Sequence, residues 1–312
     1  MTMHRCGLTL FYSGLFLSVA IGAHAEPRVL LVGDSWAQGI EVANAFNEVV
    51  EEYGGALDTV FGALTAIGGT TLHHWASAEG KTHKNPVGGT ESGLNAIKAA
   101  LAQHASIDVA HLILGGNDIL GFIAKEKPTD AAWTERKERI RADLNLLLDH
   151  LFAQPQIKAV VIEDYSYLNR DSAEELLGCL EPGKWSFGGM TQAEVSQYFV
   201  EAGKIKLDVA RARKGCLYLQ NFGRLQHHFG VPEKAPAPGG PAENYTPFPG
   251  GDINAPCPDA AFDPAQLGPC PKDGPSAGDG VHINEAAHKV LLRSAVDAFY
   301  RDWLKLAATP AG

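Results

Sequence analysis

Short apolar segments alternate along this chain with longer segments of helical spacing. The apolar segments predict five strands, at Val29–Val32, Leu57–Leu64, Val109–Leu114, Lys158–Asp164 and Cys216–Gln220. The other segments predict helices at Ala37–Tyr53, Ser92–Gln103, Ala132–Phe152, Thr191–Arg213 and Glu285–Leu306. Strands that alternate with helices form parallel sheets covered on both faces. The sequence therefore predicts an α/β fold, a three-layer α/β/α sandwich around a five-stranded parallel sheet.

The first residues have the composition of an export signal. Arg5 precedes an apolar run over 8–21, and the small residues of 23–25 follow it. This order is typical of a secretory signal peptide, here residues 1–25, and predicts a secreted or periplasmic protein. No later segment approaches the ~20 apolar residues of a spanning helix, so we expect no stable membrane anchor. The remaining residues, 26–312, are predicted to form one domain.

The charge of the chain restricts its partners. It carries 26 basic and 36 acidic residues, a formal net charge of −10. Such a chain repels phosphate backbones and anionic lipid surfaces, so a nucleic-acid partner is disfavoured.

Four cysteines follow the predicted signal peptide: Cys179, Cys216, Cys257 and Cys270. An even number in an oxidising compartment suggests two disulfides, for which three pairings exist. We favour Cys257–Cys270 and Cys179–Cys216, since the first pair would tie down a long proline- and glycine-rich loop at about 230–278. A zinc site is the alternative, but no C-x₂-C pair supports it.

The first predicted strand runs directly into Gly33-Asp34-Ser35. A serine between a buried strand and a helix lies at the carboxyl edge of the sheet, where open α/β folds bind ligands. Its backbone N–H also opens a helix, a position that favours negative charge. Ser35 is thus a candidate nucleophile, and the alternative interpretation is an ordinary helix N-cap.

Further polar turns are predicted at the same edge of the sheet. Gly69 and Asn117 follow the second and third strands, and Asp279 and His282 precede the last helix. A serine nucleophile needs an imidazole base, and the imidazole needs a carboxylate partner. The Ser35 N–H, the Gly69 N–H and the Asn117 amide are candidate donors for the oxyanion that forms on an ester.

Together these motifs resemble the four blocks of the SGNH (GDSL-type) hydrolase family, in the same order, over residues 28 to about 305. The matching motifs are Gly33-Asp34-Ser35, Gly69, Gly116-Asn117-Asp118 and Asp279-x-x-His282. The resemblance implies a flavodoxin-like sandwich and carboxylic ester hydrolysis without a cofactor or a metal. It also implies that Ser35 is the nucleophile, His282 the base and Asp279 its partner. Ser35, Gly69 and Asn117 would form the oxyanion hole, with Gly68 as the alternative to Gly69.

Two departures from the family pattern concern the substrate. Trp36 stands where the family name implies leucine, and the stretch before Asp279 is longer than in compact members. Trp36 and Trp75 are candidates for substrate contact, as are Trp185 and Phe187, against the alternative that these aromatic residues only pack. The histidine pairs at 73–74 and 227–228 are the alternative metal ligands, but neighbouring histidines on regular elements point apart.

The interpretation that follows is a serine ester hydrolase acting through an acyl-enzyme on small-molecule or carbohydrate esters. We expect short acyl groups, such as acetyl. The alternatives are a lysophospholipase or thioesterase that takes longer acyl chains, and a non-catalytic binding module on the same fold.

Overall fold

The computed structural model describes residues 26–77, 83–84, 90–230, 248–263 and 278–308. The predicted signal peptide, Cys270 and most of the loop at 230–278 lie outside these residues. The strands are β1 (Val29–Gly33), β2 (Val60–Phe61), β3 (His83–Lys84), β4 (Thr90–Glu91), β5 (Val109–Ile113), β6 (Ala159–Glu163) and β7 (Cys216–Leu219).

Five of these strands form one sheet in the order β2-β1-β5-β6-β7, and all of its pairs are parallel. Every residue of β1, β5 and β6 is buried, which is why these strands read as continuous apolar runs. β3 and β4 form a separate antiparallel pair. The predicted α/β fold with a five-stranded parallel sheet is confirmed, and its strand order is the flavodoxin-like one.

The helices are α1 (Ser35–Val42), α2 (Ala45–Glu52), α3 (Leu72–Ala76), α4 (Gly93–Gln103), α5 (Gly116–Ile123), α6 (Asp130–Phe152), α7 (Arg170–Leu180), α8 (Gln192–Arg211), α9 (Arg224–Phe229), α10 (Glu285–Ala295) and α11 (Arg301–Leu304). Helices α1, α2 and α10 pack together, whereas α3, α4, α6 and α8 form a second group. These two groups are the outer layers of the sandwich. Among the described residues, no helix has the length and hydropathy needed to cross a membrane.

Several helix ends lie where side-chain caps predict them. Ser92 and Asn284 cap α4 and α10, and Thr191 forms a capping box with Glu194 at the start of α8. The helix predicted over Ala37–Tyr53 is divided instead, because Asn44 adopts a left-handed conformation with φ 53° between α1 and α2. The second strand is shorter than predicted.

Both favoured disulfide pairings are wrong. Cys216 and Cys257 are free thiols. Cys216 is the first residue of β7, so it lies at the amino ends of the strands, whereas the connection that leads into α7 starts at the carboxyl end of β6. Cys257 is buried beside Ser166. Cys179 is disulfide-bonded, but to neither of these two. Burial raises the pKa of the Cys257 thiol to about 12, so this thiol is unreactive at neutral pH.

Candidate active site

Ser35 is the first residue of α1 and follows β1 after a single intervening residue. Gly33 makes this turn possible, because a Cβ at that position would lie 2.4 Å from the carbonyl oxygen of Ile113 on the neighbouring strand. Asp34, and not Ser35, is the N-cap: its Oδ1 accepts a 3.1 Å hydrogen bond from the backbone N–H of Trp36. The Ser35 hydroxyl is therefore left for other partners.

His282 and Asp279 form a hydrogen-bonded chain with Ser35. Nε2 of His282 lies 2.8 Å from Ser35 Oγ, and its Nδ1 lies 2.5 Å from Asp279 Oδ2. The other carboxylate oxygen, Oδ1, accepts hydrogen bonds from the backbone N–H groups of Val281 at 2.9 Å and His282 at 2.7 Å. The carboxylate is thus held in place by the same short loop that carries the imidazole.

The electrostatics of this pair suit a general base. Burial lowers the pKa of His282, but the hydrogen bond and the charge of Asp279 outweigh it, so that the pKa is raised above 6.5. Burial raises the pKa of Asp279, and the hydrogen bond from His282 reverses this effect, so that the pKa is lowered. Asp279 is therefore ionised at neutral pH, as the partner of an imidazole that accepts a proton must be.

Donors for a developing oxyanion border the same site. Gly69 adopts φ +75° in the turn after β2. In the part of the chain that the structure describes, the N–H groups of Ser35 and Gly69 meet no backbone acceptor. The Gly68 N–H, by contrast, donates to Gln38 Oε1 at 3.1 Å. This geometry favours Gly69 over Gly68 as the oxyanion donor.

Asn117 lies in the first turn of α5, a helix that the sequence analysis did not predict. Its Nδ2 donates a 2.9 Å hydrogen bond to the carbonyl oxygen of Thr70. An amide nitrogen carries two hydrogens, so one holds the side chain against the Gly69–Thr70 turn and the second remains for a substrate. The next residue, Asp118, supports the same turn, since its Oδ2 accepts from the backbone N–H of Leu72 at 2.9 Å.

A tyrosine that the sequence analysis missed lies beside the serine turn. Tyr165 follows β6, and its hydroxyl donates a 2.5 Å hydrogen bond to Asp34 Oδ2. Its ring packs edge-on against Trp36 at 5.0 Å and leaves no room for a Cβ at Gly116, which would lie 2.8 Å from it. The signal was available, because the polar residues after β6 lie at the same edge of the sheet as those after β1, β2 and β5.

A buried ion pair supports Tyr165 from the other side. Lys206 Nζ donates to Asp164 Oδ1 at 2.7 Å and lies 4.7 Å from the centre of the Tyr165 ring. The second oxygen of Asp164 accepts a 2.6 Å hydrogen bond from the Tyr218 hydroxyl. Because both charges are paired and hydrogen-bonded, their burial is tolerated.

The serine, the histidine and the donors face one cavity of about 280 Å³. Its lining residues are Asp34, Ser35, Trp36, Gly69, Gly116, Asn117, Leu120, Tyr165, Leu168, Leu177, Trp185, Phe199, Val281 and His282. Trp36 and Trp185 are therefore placed for substrate contact. Trp75 and Phe187 are not: both are fully buried outside this lining, and the Trp75 indole N–H donates to Thr70 Oγ1 at 3.0 Å. They are packing residues.

Both histidines of the pair at 73–74 have other partners. His73 lies 3.3 Å from Asp143, and His74 Nδ1 accepts the backbone N–H of Thr71 at the start of α3. Within the described residues, no group of three or more histidine, cysteine or acidic side chains is arranged to hold a metal ion.

No protein-family model and no curated protein sequence matches this chain. Solved structures do. A gut microbial diltiazem-metabolizing enzyme superposes with a TM-score of 0.51 at 11% identity, covering 88% of this chain and 46% of that one. A carbohydrate acetylesterase from Sinorhizobium meliloti superposes with a TM-score of 0.42 at 13% identity, covering 87% and 97%. An aryl esterase from M. smegmatis superposes with a TM-score of 0.45 at 14% identity, covering 88% and 99%. The likeness at TM-score 0.51 concerns the fold alone.

Proposed function

We propose that this protein is a serine ester hydrolase of the SGNH type that acts through an acyl-enzyme. The observation that carries the proposal is the chain of hydrogen bonds from Ser35 Oγ through His282 to Asp279, at 2.8 and 2.5 Å. These distances lie within the reach that general-base activation of a serine requires. This series of hydrogen bonds ends at a cavity that oxyanion donors border. Hydrogen bonds that served only to stabilise the fold would not need such donors beside them.

In the first half of the reaction, Ser35 Oγ attacks the ester carbonyl carbon and its proton passes to Nε2 of His282. The carbonyl oxygen becomes an oxyanion, which accepts hydrogen bonds from the Ser35 and Gly69 N–H groups and from Asn117 Nδ2. The tetrahedral intermediate then expels the alcohol oxygen, which takes the proton from His282. Asp279 stabilises the imidazolium between these two transfers.

In the second half, a water molecule attacks the acyl carbon, and His282 removes its proton. The second tetrahedral intermediate uses the same donors and releases the carboxylic acid, while the proton on His282 returns to Ser35. Every step uses groups of this chain, and water is the only co-reactant.

We propose small-molecule or carbohydrate esters of short acids as substrates. The cavity of about 280 Å³ supports short acyl groups over the long chains of a lysophospholipase. For comparison, an apolar cavity of about 150 Å³ holds one benzene molecule. The basic, apolar and small-residue segments within 1–25 support a secreted or periplasmic location.

The test is covalent labelling by a fluorophosphonate probe, combined with hydrolysis of p-nitrophenyl acetate. We expect the probe to label the wild type at Ser35 and the Ser35→Ala variant not at all. Ser106→Ala is the matched control, because Ser106 lies before β5 and its hydroxyl donates to the Pro27 carbonyl. A wild type that is folded but neither labelled nor active would overturn the proposal and favour a binding module.

A further inference from the structure

The cavity next to Ser35 has two unlike sides. The catalytic groups lie along one side: Ser35 and Asn117 follow β1 and β5, and His282 lies in the loop before α10. The other side extends toward the end of β6 and is made of large apolar and aromatic side chains, contributed by α5, α7, α8 and the segments after β6 and α7: Leu120, Tyr165, Leu168, Leu177, Trp185 and Phe199. Of these six, Leu120, Tyr165, Leu168 and Phe199 are buried. We call these six residues the apolar wall.

The exposure of His282 indicates which part of an ester meets the apolar wall. This inference rests on the proposed function, in which Nε2 of His282 protonates the leaving alcohol oxygen. The His282 side chain is 48% exposed, so the alcohol departs on the solvent side of the site. The group that stays bonded to Ser35 is the acyl group, and the buried space left for it is the one along the apolar wall.

The size of the cavity limits the acyl group. If about 150 Å³ holds the six carbons of benzene, about 280 Å³ that also has to hold the ester group and part of the alcohol leaves room for an apolar chain of at most about that size. An acetyl group would leave much of this space unfilled. Each methylene that enters the cavity gains the free energy of burial, which raises kcat/KM by about fourfold until the space is full.

Trp185 lines this space from a segment held at both ends. Its indole N–H donates to Glu181 Oε2 at 2.8 Å, on the side of α7. On the other side, Phe187 is fully buried at φ +48°, and its N–H donates to the Ala124 carbonyl at 2.7 Å. The Trp185 and Phe187 rings are in edge contact at 6.2 Å. The buried, left-handed Phe187 therefore orients the exposed segment so that Trp185 meets the cavity.

We propose that the apolar wall holds an unbranched acyl group of about four to six carbons, and that Trp185 determines the acyl length. Trp185 is a specificity-determining residue: it contacts the acyl chain and takes no part in proton transfer.

The test measures kcat/KM on p-nitrophenyl acetate, butyrate, hexanoate, octanoate and decanoate. We expect the wild type to be fastest on butyrate or hexanoate. In Trp185→Ala the decanoate-to-butyrate ratio should rise about tenfold or more, because the removed indole leaves room for further methylenes. Trp185→Phe should give an intermediate ratio. Trp303→Ala is the matched control, since its indole N–H also donates to a carboxylate, Asp108 Oδ1 at 3.0 Å, at the opposite edge of the sheet.

A second measurement does not depend on turnover. An n-alkylboronic acid accepts Ser35 Oγ at boron while the serine proton passes to His282, and its alkyl chain then lies where the acyl chain would. We expect inhibition to strengthen from methyl to butyl, and the preferred length to increase in Trp185→Ala. A series of alkyl acetates varies the alcohol instead and should respond equally in all variants.

The outcomes separate this inference from the proposed function. Loss of Ser35 labelling in the wild type would overturn both. Normal labelling with acetate as the best substrate, or with a chain-length profile that Trp185→Ala leaves unchanged, would overturn only the acyl assignment. A Trp185→Ala effect confined to the alkyl acetates would also overturn it, because the apolar wall would then hold the alcohol.

Discussion

The hydroxyl of Tyr165 donates a 2.5 Å hydrogen bond to Asp34 Oδ2, which joins the end of β6 to the turn that carries Ser35. Both side chains are buried. Burial raises the pKa of Asp34 to about 6, although the Tyr165 hydrogen bond opposes this rise. The same burial raises the pKa of Tyr165 well above its usual value of 10. Tyr165 therefore stays protonated and donates, and the serine turn depends on a carboxyl group, Asp34, whose pKa lies near neutral pH.

The first prediction concerns Tyr165→Phe. This change removes the donor and leaves the buried Asp34 carboxylate short of a hydrogen bond that is typically worth about 1.5–3 kcal/mol. We expect kcat/KM to fall about tenfold and the pKa of Asp34 to rise. Steady-state rates on a short ester between about pH 5 and 9 measure both. Tyr218→Phe removes the hydroxyl from Asp164, away from the serine turn, and should lower the unfolding midpoint while leaving the pH profile unchanged.

The second prediction concerns the stability of Asp34→Asn. Because the folded-state pKa of Asp34 is raised from 3.8 to about 6, its contribution to stability is fully present below pH 3.8 and is lost as the pH rises through 6. Asparagine does not titrate and keeps an oxygen for the Trp36 N–H. Relative to the wild type, the free energy of unfolding of the variant should increase by up to about 3 kcal/mol between pH 4 and pH 7. Urea unfolding at both pH values measures this, and a constant difference would contradict it.

Much of the fold could be predicted because buried parallel strands are continuous apolar runs that are easily recognised. The ends of elements were harder to predict. Nothing in the local pattern around Asn44 distinguishes one long helix from two, because α1 and α2 each contact α10 and this tertiary contact has no local signature. The second strand was predicted too long because Leu57 is apolar, which favours a buried position. In the structure Leu57 is 44% exposed and lies before the strand.

The residues around the cavity could be predicted for a topological reason: turns after parallel strands meet at one edge of the sheet. That reasoning predicted that Ser35, Gly69 and Asn117 lie close together, and these three residues do line one cavity. It could not separate Trp75 from Trp185, because an aromatic residue near a glycine turn has the same local pattern whether it packs inward or lines a cleft. The Asp164–Lys206 ion pair was equally hidden, since its partners are 42 residues apart.

The third prediction concerns the pH dependence of Asp279→Asn. In the wild type the carboxylate raises the pKa of His282 against the effect of burial, so activity should fall as the pH drops through a value above 6.5. In the variant, burial is opposed only by the charge of Asp34, so the pKa of His282 and with it the acid limb should move to lower pH. We also expect kcat to fall by about 10⁴, because the amide no longer fixes the tautomer. An acid limb that does not move would show that another group orients the imidazole.

The fourth prediction tests Asn117 as an oxyanion donor. Asn117→Ala should lower kcat by about 10²–10³-fold with little change in KM, since the lost hydrogen bond strengthens only in the transition state. Asn47→Ala is the matched control: its amide also donates to a backbone carbonyl, that of Val60 at 3.2 Å, but at the opposite edge of the sheet. That variant should lower the unfolding midpoint and leave kcat unchanged. Equal kcat values in the two variants would show that Asn117 only supports the Thr70 turn.

The last prediction concerns Trp36, whose indole N–H donates a 2.9 Å hydrogen bond to the carbonyl oxygen of Val281. This buried bond ties the helix that begins at Ser35 to the residue next to His282. Trp36→Phe keeps an aromatic ring but leaves that carbonyl without its donor, a loss of about 1–3 kcal/mol. Because the His282 loop is then less firmly held, kcat on p-nitrophenyl acetate should fall about tenfold, and more than KM changes.

Trp133→Phe separates this effect from a general loss of stability. The Trp133 indole N–H donates to Glu201 Oε2 at 2.8 Å between α6 and α8, so the control removes a comparable hydrogen bond far from His282. Both variants should unfold at a lower temperature than the wild type, but only Trp36→Phe should lose kcat. If the unfolding temperature falls by the same amount in both variants and both retain full kcat, the Trp36 hydrogen bond stabilises the fold without positioning His282.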